Sequence, residues 1–228
     1  RHGSRRGSYT VAASPDGSFA VTGIVDDGTL FAFKDPIGVK PLCYGNSEGV
    51  HAFSSESVGL DINGIKWDHE FRPGEFMAVE EGEVIRRQLA ESHRRAFCAF
   101  EFAYFMRPDS RVNGKFVYQS RVDFGRALAR VYAEKAKRCD IVVSLPETAD
   151  DAAYGFHEAA GIPWERATRR HRYVTQRAFI TDAEDRGSVI FRKVNILEPL
   201  IKGRSLAVVD DSIVRGDTTK GAVKRLSA

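Results

Sequence analysis

Two adjacent carboxylates follow a short apolar run near the end of this 228-residue chain. The run Leu206–Val209 is apolar throughout, which is the pattern of a strand buried on both faces in a parallel sheet. Asp210 and Asp211 come where that strand should end, and a glycine-containing loop then leads into a helical-looking segment. Carboxylates in this position can hold hydroxyl groups and a cation, while a loop that opens a helix presents backbone N–H groups to an anion. Solvated acids on an ordinary strand–turn–helix are the alternative, but the combined run is more specific than its parts.

Residues 209–216 read Val-Asp-Asp-Ser-Ile-Val-Arg-Gly. This order resembles the ribose-phosphate signature of type I phosphoribosyltransferases, which use 5-phosphoribosyl 1-pyrophosphate (PRPP), and it is most similar to the amidophosphoribosyltransferase family. The resemblance implies that the carboxylates hold ribose hydroxyls and Mg²⁺, and that residues 214–219 hold the 5′-phosphate. Asp217 departs from the family, which usually has threonine there, and it brings negative charge beside the expected phosphate. The PRPP contacts implied in this run are Asp210, Asp211, Ser212, Val214, Arg215, Gly216, Asp217, Thr218 and Thr219.

A second segment of the last third matches the same family. Residues 142–148 read Val-Val-Ser-Leu-Pro-Glu-Thr and resemble its pyrophosphate loop. The resemblance places Thr148 with Asp210 and Asp211 among the Mg²⁺ contacts, and a threonine hydroxyl is a hard oxygen donor of the kind that Mg²⁺ binds. The alternative role for Thr148 is to cap the helix that should begin near Asp150.

A basic segment follows. Residues 169–180 and 192–195 resemble the loop that closes over PRPP in the family. Because PRPP is a highly charged anion, it requires several cations, and we favour this role over a solvated charge run. The resemblance assigns PRPP contacts here to Arg172, Tyr173 and Lys193.

Composition excludes several classes of protein. The net charge is +3, from 34 basic and 31 acidic residues, which is no argument for a nucleic-acid partner. No apolar run is long enough to span a membrane, and no signal peptide is visible. The three cysteines, Cys43, Cys98 and Cys139, are widely spaced, which argues against a disulfide framework and suits a reducing compartment. We therefore expect a cytoplasmic enzyme.

The pattern of predicted secondary structure changes along the chain. Residues 7–88 hold short β-like runs between turn signals such as Asp27-Gly28, which predicts an antiparallel, sheet-rich unit. After residue 120 the pattern predicts a helix over 122–137, a strand over 141–145 and a helix over Asp150–Ala160. This alternation indicates a parallel sheet. The predicted fold is thus α+β followed by α/β, with domains at 1–90 and 121–228 joined by a segment at 91–120.

The first third also resembles a known domain. Residues 33–42, 53–57 and 72–75 are similar to the second half of a class II, N-terminal-nucleophile glutamine amidotransferase domain. The residue types alone predict turns here, and we favour structural roles for these residues. The family's nucleophilic cysteine and its glutamine-binding residues have no matching positions in this chain. We therefore assign no catalytic glutaminase residue here.

Residues 98–110 and 117–121 resemble the segment that links glutaminase to transferase in amidophosphoribosyltransferases. Cys98 lies where some members place the first of four cysteine ligands of an iron–sulfur (4Fe–4S) cluster. A buried free thiol is the alternative, and we favour it because no other cluster ligand is matched in the chain.

Together these resemblances imply the reaction of glutamine, PRPP and water to give 5-phosphoribosylamine, glutamate and pyrophosphate, the first step of purine synthesis. They imply Mg²⁺ as cofactor, PRPP and glutamine or ammonia as ligands, no nucleic acid or membrane, and a homo-oligomer at full length. Both ends of the sequence lie within expected elements, so we expect an internal segment of a longer protein. A PRPP-sensing module without catalysis and a different type I phosphoribosyltransferase are the alternatives.

Overall fold

The computed structural model describes residues 17–92, 94, 96–171, 194–213 and 216–227. Packing divides the chain into two compact units. The first extends to Glu101 and includes Met106–Val117, and the second comprises Phe102–Phe105 and the residues from Tyr118 onward. Within the described ranges, no helix is long and apolar enough to cross a membrane.

The first unit is built from antiparallel strands, as its alternating runs predicted. Its elements are β1 (Ala20–Ile24), β2 (Leu30–Lys34), β3 (Cys43–Ser47), β4 (Val50–Ser54), α1 (Ser57–Asp61), β5 (Trp67–Glu70), β6 (Glu75–Glu80), β7 (Glu83–Gln88), β8 (Arg111–Val112) and β9 (Lys115–Phe116). One sheet has the order β1-β2-β6-β7, a second has the order β4-β3-β5, and β8 and β9 form a small hairpin. The Asp27-Gly28 signal does form the β1–β2 turn, where Gly28 has a positive φ of 85°.

Two apolar clusters cover the two faces of the four-stranded sheet. On one face, Ala32 and Met77 pack with Leu42, Tyr44 and Phe71, which belong to the second sheet or its connections. The opposite face carries an aromatic cluster whose members are Phe19, Phe31, Phe33 and Phe76 with Val21, Ala78, Ile85 and Leu89. The central strands are therefore buried on both sides.

The second unit alternates helices with strands, and it includes Phe102–Phe105 of a π-helical turn (Glu101–Phe105). Its elements are α2 (Val117–Val131), α3 (Ala133–Ala136), β10 (Ile141–Ser144), α4 (Asp150–Ala160), β11 (Thr168–Arg170), β12 (Val194–Ile196), α5 (Glu198–Ile201), β13 (Leu206–Val209) and α6 (Asp217–Leu226). β10 and β13 pair in parallel, and β11 and β12 pair antiparallel. This is the mixed α/β organisation, including parallel strands, that the sequence predicted.

The parallel strands pack against apolar clusters on both faces, which explains their apolar runs. Val142 and Val209 pack into a cluster with Ala153 and Phe156 of α4. Ile141 and Val143 face a separate cluster, whose other members include Ala167, Ile196, Leu200, Ile201, Leu206 and Leu226. Since neighbouring residues of a strand point to opposite faces, both sides of the strand pair must be apolar.

The predicted helix over 122–137 is wrong in its extent. It begins at Val117, and Tyr132 interrupts it before α3. Two of its apolar residues, Leu128 and Val131, are 36% and 74% exposed. The buried face instead carries Gly125, where an added Cβ would lie 1.8 Å from the carbonyl oxygen of Ala152. Close approach of α2 to α4 therefore selects small residues for the contact.

Candidate functional site

The register of the parallel strands brings two loops together at the carboxyl ends of β10 and β13. Ser144, the last residue of β10, lies opposite Val209, the last residue of β13. The Leu145 N–H donates to the Val209 carbonyl at 2.9 Å, so the two chains are still bonded where the strands end. The loop 145–149 and the segment after Val209 therefore begin side by side, at the edge where α/β sheets bind ligands.

The two predicted carboxylates lie in the second of these segments. Asp210 is partly buried; one of its oxygens accepts the N–H of Asp211 at 2.9 Å and the other accepts the hydroxyl of Thr219 at 3.2 Å. The Ser212 hydroxyl donates to Asp211 at 2.8 Å. Burial, followed by the charge of Asp211, raises the pKa of Asp210. A bound cation would offset both causes, because it interacts favourably with the ionised carboxylate.

The segment that should hold the phosphate is partly helical. α6 begins at Asp217, so Asp217 and Thr218 are its first two residues, and Gly216 precedes it with a left-handed φ of 79°. The Gly216 carbonyl accepts the N–H of Lys220 at 2.8 Å, which starts the helix. A helix N-terminus with free backbone N–H groups is a favourable place for a phosphate. Two further predicted contacts, Val214 and Arg215, lie outside the described residues.

The loop 145–149 joins β10 to α4 and includes Thr148. The residue at the N-cap of α4 is Ala149, and no side chain caps this helix, so the alternative role of Thr148 as a helix cap is wrong. The peptide bond between Pro146 and Glu147 in this loop is cis.

Sequence reasoning missed a polar network behind this loop. The Ser144 hydroxyl donates to one oxygen of Asp150 at 2.6 Å, and Arg166 donates to the other at 3.0 Å. The Thr168 hydroxyl donates to the Ser144 carbonyl at 2.5 Å. The one sequence signal for it is Ser144 itself, a polar residue that ends an apolar strand.

The donor set at this edge fits a magnesium ion that is shared with a substrate. Across the described ranges, no three His, Cys, Asp or Glu side chains come together as a metal-binding group. Mg²⁺ usually takes one or two carboxylates and completes its coordination with water and substrate phosphates. Asp210 and Asp211 supply that number of carboxylates, and they are adjacent in the chain.

The basic segment is described only at its start. Arg169 and Arg170 belong to β11, where Arg169 lies opposite Asn195 of β12. The guanidinium of Arg170 lies 3.9 Å from the carboxylate of Glu147 in the loop 145–149. The predicted PRPP contacts Arg172, Tyr173 and Lys193 lie outside the described residues.

The acidic motif residues of the first unit are used structurally. The Asp35 carboxylate accepts the backbone N–H groups of Phe19, Ile37 and Gly38 at 3.1, 2.8 and 2.6 Å. Glu56 accepts the Ser110 hydroxyl at 2.6 Å and the Arg107 N–H at 2.9 Å. These bonds fix turns and connections, which confirms the structural interpretation of residues 33–42 and 53–57.

All three cysteines are free. Cys98, the candidate cluster ligand, is half-buried, so it is less enclosed than the favoured interpretation predicted. Cys43 is buried, and burial raises the pKa of its thiol to about 12, so it stays protonated at neutral pH.

The second unit is thus a mixed α/β unit with parallel strands, a carboxylate pair at a strand end and a helix N-terminus beyond it. No family model matches the chain. Amidophosphoribosyltransferase of Archaeoglobus fulgidus is 36% identical over 211 residues, which are 92% of this chain and 45% of that protein. The enzyme of the same name from Mycobacterium tuberculosis is also 36% identical, over 92% of this chain and 39% of its own length.

Solved structures give the same result. The glutamine PRPP amidotransferase of B. subtilis, solved with ADP and GMP, superposes with a TM-score of 0.82 at 30% identity, over 93% of this chain and 46% of that one. The structure described as the allosteric regulatory enzyme of purine biosynthesis superposes with a TM-score of 0.76, also at 30% identity, over 87% of this chain and 42% of its own. The chain belongs to the amidophosphoribosyltransferase family, and it spans less than half the length of these relatives.

Proposed function

We propose that this chain carries the phosphoribosyl-transfer site of an amidophosphoribosyltransferase. In that reaction ammonia released from glutamine displaces pyrophosphate from C1 of PRPP and gives 5-phosphoribosylamine, the first step of purine (IMP) synthesis. The observation that carries the proposal is the carboxylate pair at the end of β13. Asp210 has a raised pKa there, and the N-terminus of α6 follows within a few residues.

The described residues suggest how the site works. Asp210 and Asp211 hold the ribose hydroxyls and Mg²⁺, with Thr148 as a further oxygen donor from the neighbouring loop. Bound Mg²⁺ would supply charge neutralisation for the departing pyrophosphate. The 5′-phosphate lies against the backbone of Gly216 and the first turn of α6.

Other contacts complete this proposal. Lys193, Arg172 and Tyr173 hold the pyrophosphate from the basic segment. The remaining PRPP contacts are Ser212 and, around the 5′-phosphate, Val214, Arg215, Asp217, Thr218 and Thr219.

The first unit is proposed to be part of a glutaminase domain. Its two antiparallel sheets, and the similarity of 92% of the chain to the relatives, support this assignment, with domains at 1–90 and 121–228 and a linking segment at 91–120. Glutamine hydrolysis requires a nucleophile, and we propose none among these residues.

Further properties follow from the family and are proposed with it. We propose a cytoplasmic homo-oligomer, and the three free cysteines suit a reducing compartment. Cys98 is proposed as a structural thiol rather than as a ligand of a 4Fe–4S cluster.

The proposal is tested by ammonia-dependent turnover of PRPP in the presence of Mg²⁺, followed as pyrophosphate release. We expect Asp210→Asn and Asp211→Asn each to lower the rate by at least about a hundredfold, since each removes a charge that acts on the reacting sugar and its cation. Glu56→Gln, which changes a structural carboxylate of the first unit, should retain the wild-type rate. Wild-type turnover in either aspartate variant would refute the roles assigned to the pair.

A second candidate is a PRPP-binding module without catalysis, which would tolerate Asp217 at the position where the family usually has threonine. The same assay separates the two functions. PRPP binding without pyrophosphate release, with ammonia at saturation, would favour the module.

A further inference from the structure

We propose that Ser144 and Asp150 are positioning residues that hold the loop 145–149 in the shape that receives the pyrophosphate group, an inference that rests on the proposed function. The two side chains bond at 2.6 Å. Ser144 is the last residue of β10 and Asp150 is the first residue of α4, so this one bond ties together the two ends of the loop. The Ser144 side of the bond is 2% exposed and the Asp150 side chain is 17% exposed, so the bond is largely shielded from water.

Ser144 and Asp150 are also hydrogen-bonded to a neighbouring segment. The second oxygen of Asp150 accepts the guanidinium of Arg166 at 3.0 Å, which makes the bond charge-assisted. The Ser144 carbonyl accepts the hydroxyl of Thr168, which is buried. The residues at the two ends of the loop are thus hydrogen-bonded to Arg166 and Thr168. These two side chains set the positions of the loop ends.

This arrangement matters for one part of the ligand only. A loop that must be ordered when the ligand binds lowers the affinity, whereas a loop that is already fixed does not. The pyrophosphate lies against the loop 145–149, while the ribose 5-phosphate part lies at Asp210, Asp211 and the start of α6. Removing the Ser144 hydroxyl should therefore weaken the binding of pyrophosphate and leave the binding of ribose 5-phosphate unchanged.

The test uses Ser144→Ala with Ser110→Ala as its matched control. Ser110 is also buried, and its hydroxyl also donates to a carboxylate at 2.6 Å, but that carboxylate is Glu56 of the first unit. Calorimetric titrations measure the binding of inorganic pyrophosphate with Mg²⁺, and separately of ribose 5-phosphate. For Ser144→Ala we expect about tenfold weaker binding of pyrophosphate and unchanged binding of ribose 5-phosphate. Ser110→Ala should bind both ligands as the wild type does.

Two further variants keep the inference falsifiable if Ser144→Ala folds poorly. Ser144→Thr retains the hydroxyl and should recover affinity for pyrophosphate, whereas Asp150→Asn weakens the tie and should change affinity in the same direction as Ser144→Ala. Equal weakening of both ligands, or no weakening of either, would overturn the positioning role. A wild-type protein that binds neither ligand would instead overturn the proposed function, and this inference with it.

Discussion

Acidic residues in the two units look alike in sequence but meet different surroundings. Asp35 is fully buried in the first unit, yet it accepts three backbone N–H groups and lies 3.4 Å from the Ser18 hydroxyl. Asp210 in the second unit lies beside another carboxylate, and its pKa is raised by burial and by that neighbour. A carboxylate saturated by fixed donors stabilises the fold. A carboxylate that is buried beside another carboxylate can still bind a cation or a hydroxyl group of a ligand.

The largest change in the free energy of unfolding is expected for a substitution of Asp35. Asp35→Ala leaves three backbone N–H groups without their acceptor in a buried turn. Each such group costs about 1–3 kcal/mol, so we expect the free energy of unfolding to fall by roughly 4 kcal/mol. Chemical denaturation of the variant and the wild type measures this difference. A loss below about 1 kcal/mol would show that the carboxylate is not structural.

The second unit should instead be most sensitive at its helix contact. In Gly125→Ala the new Cβ would meet the Ala152 carbonyl at 1.8 Å, and backbone cannot move aside as a side chain can. We expect a loss of roughly 3 kcal/mol in the free energy of unfolding. Arg130→Ala, an exposed position of the same helix, should stay within about 0.5 kcal/mol of the wild type. Equal stability of the two variants would contradict the close packing of α2 on α4.

A smaller effect, of opposite sign, is expected at Asp210. Because its pKa is raised in the folded protein, the ionised carboxylate reduces stability; this penalty is absent below the ordinary aspartate pKa of about 3.9 and grows as the pH rises through the raised value. Asp210→Asn removes the charge, so at neutral pH it should stabilise the ligand-free protein, on the order of 1 kcal/mol.

Thermal unfolding of both proteins from pH 4 to pH 8 measures this advantage, which should shrink toward zero at the acidic end. If the Asp210→Asn protein were less stable than the wild type at neutral pH, Asp210 would have a structural role like that of the carboxylates in the first unit.

The sequence predicted the elements whose pattern follows directly from burial. Strands covered on both faces must be apolar throughout, so β10 and β13 could be located from their residues alone. The carboxylate pair followed from the end of β13, since ligand sites in parallel sheets lie at strand ends.

Other features depend on how elements approach one another in space, and the sequence does not contain that information directly. The apolar residues Leu128 and Val131 are exposed on α2, whereas Gly125 lies at the contact of this helix with α4. The bond between Ser144 and Asp150 depends on the path of the loop between them, which local propensities do not specify.

We propose that the carboxylate pair of the second unit binds PRPP, whereas the carboxylates of the first unit that accept several hydrogen bonds stabilise the fold. The most direct test is a calorimetric titration of Mg²⁺–PRPP into the wild type, Asp211→Asn and Glu56→Gln. We predict about hundredfold weaker binding for Asp211→Asn, because the site loses half of its carboxylate charge, and wild-type affinity for Glu56→Gln. Equal affinity of Asp211→Asn and the wild type would contradict the account.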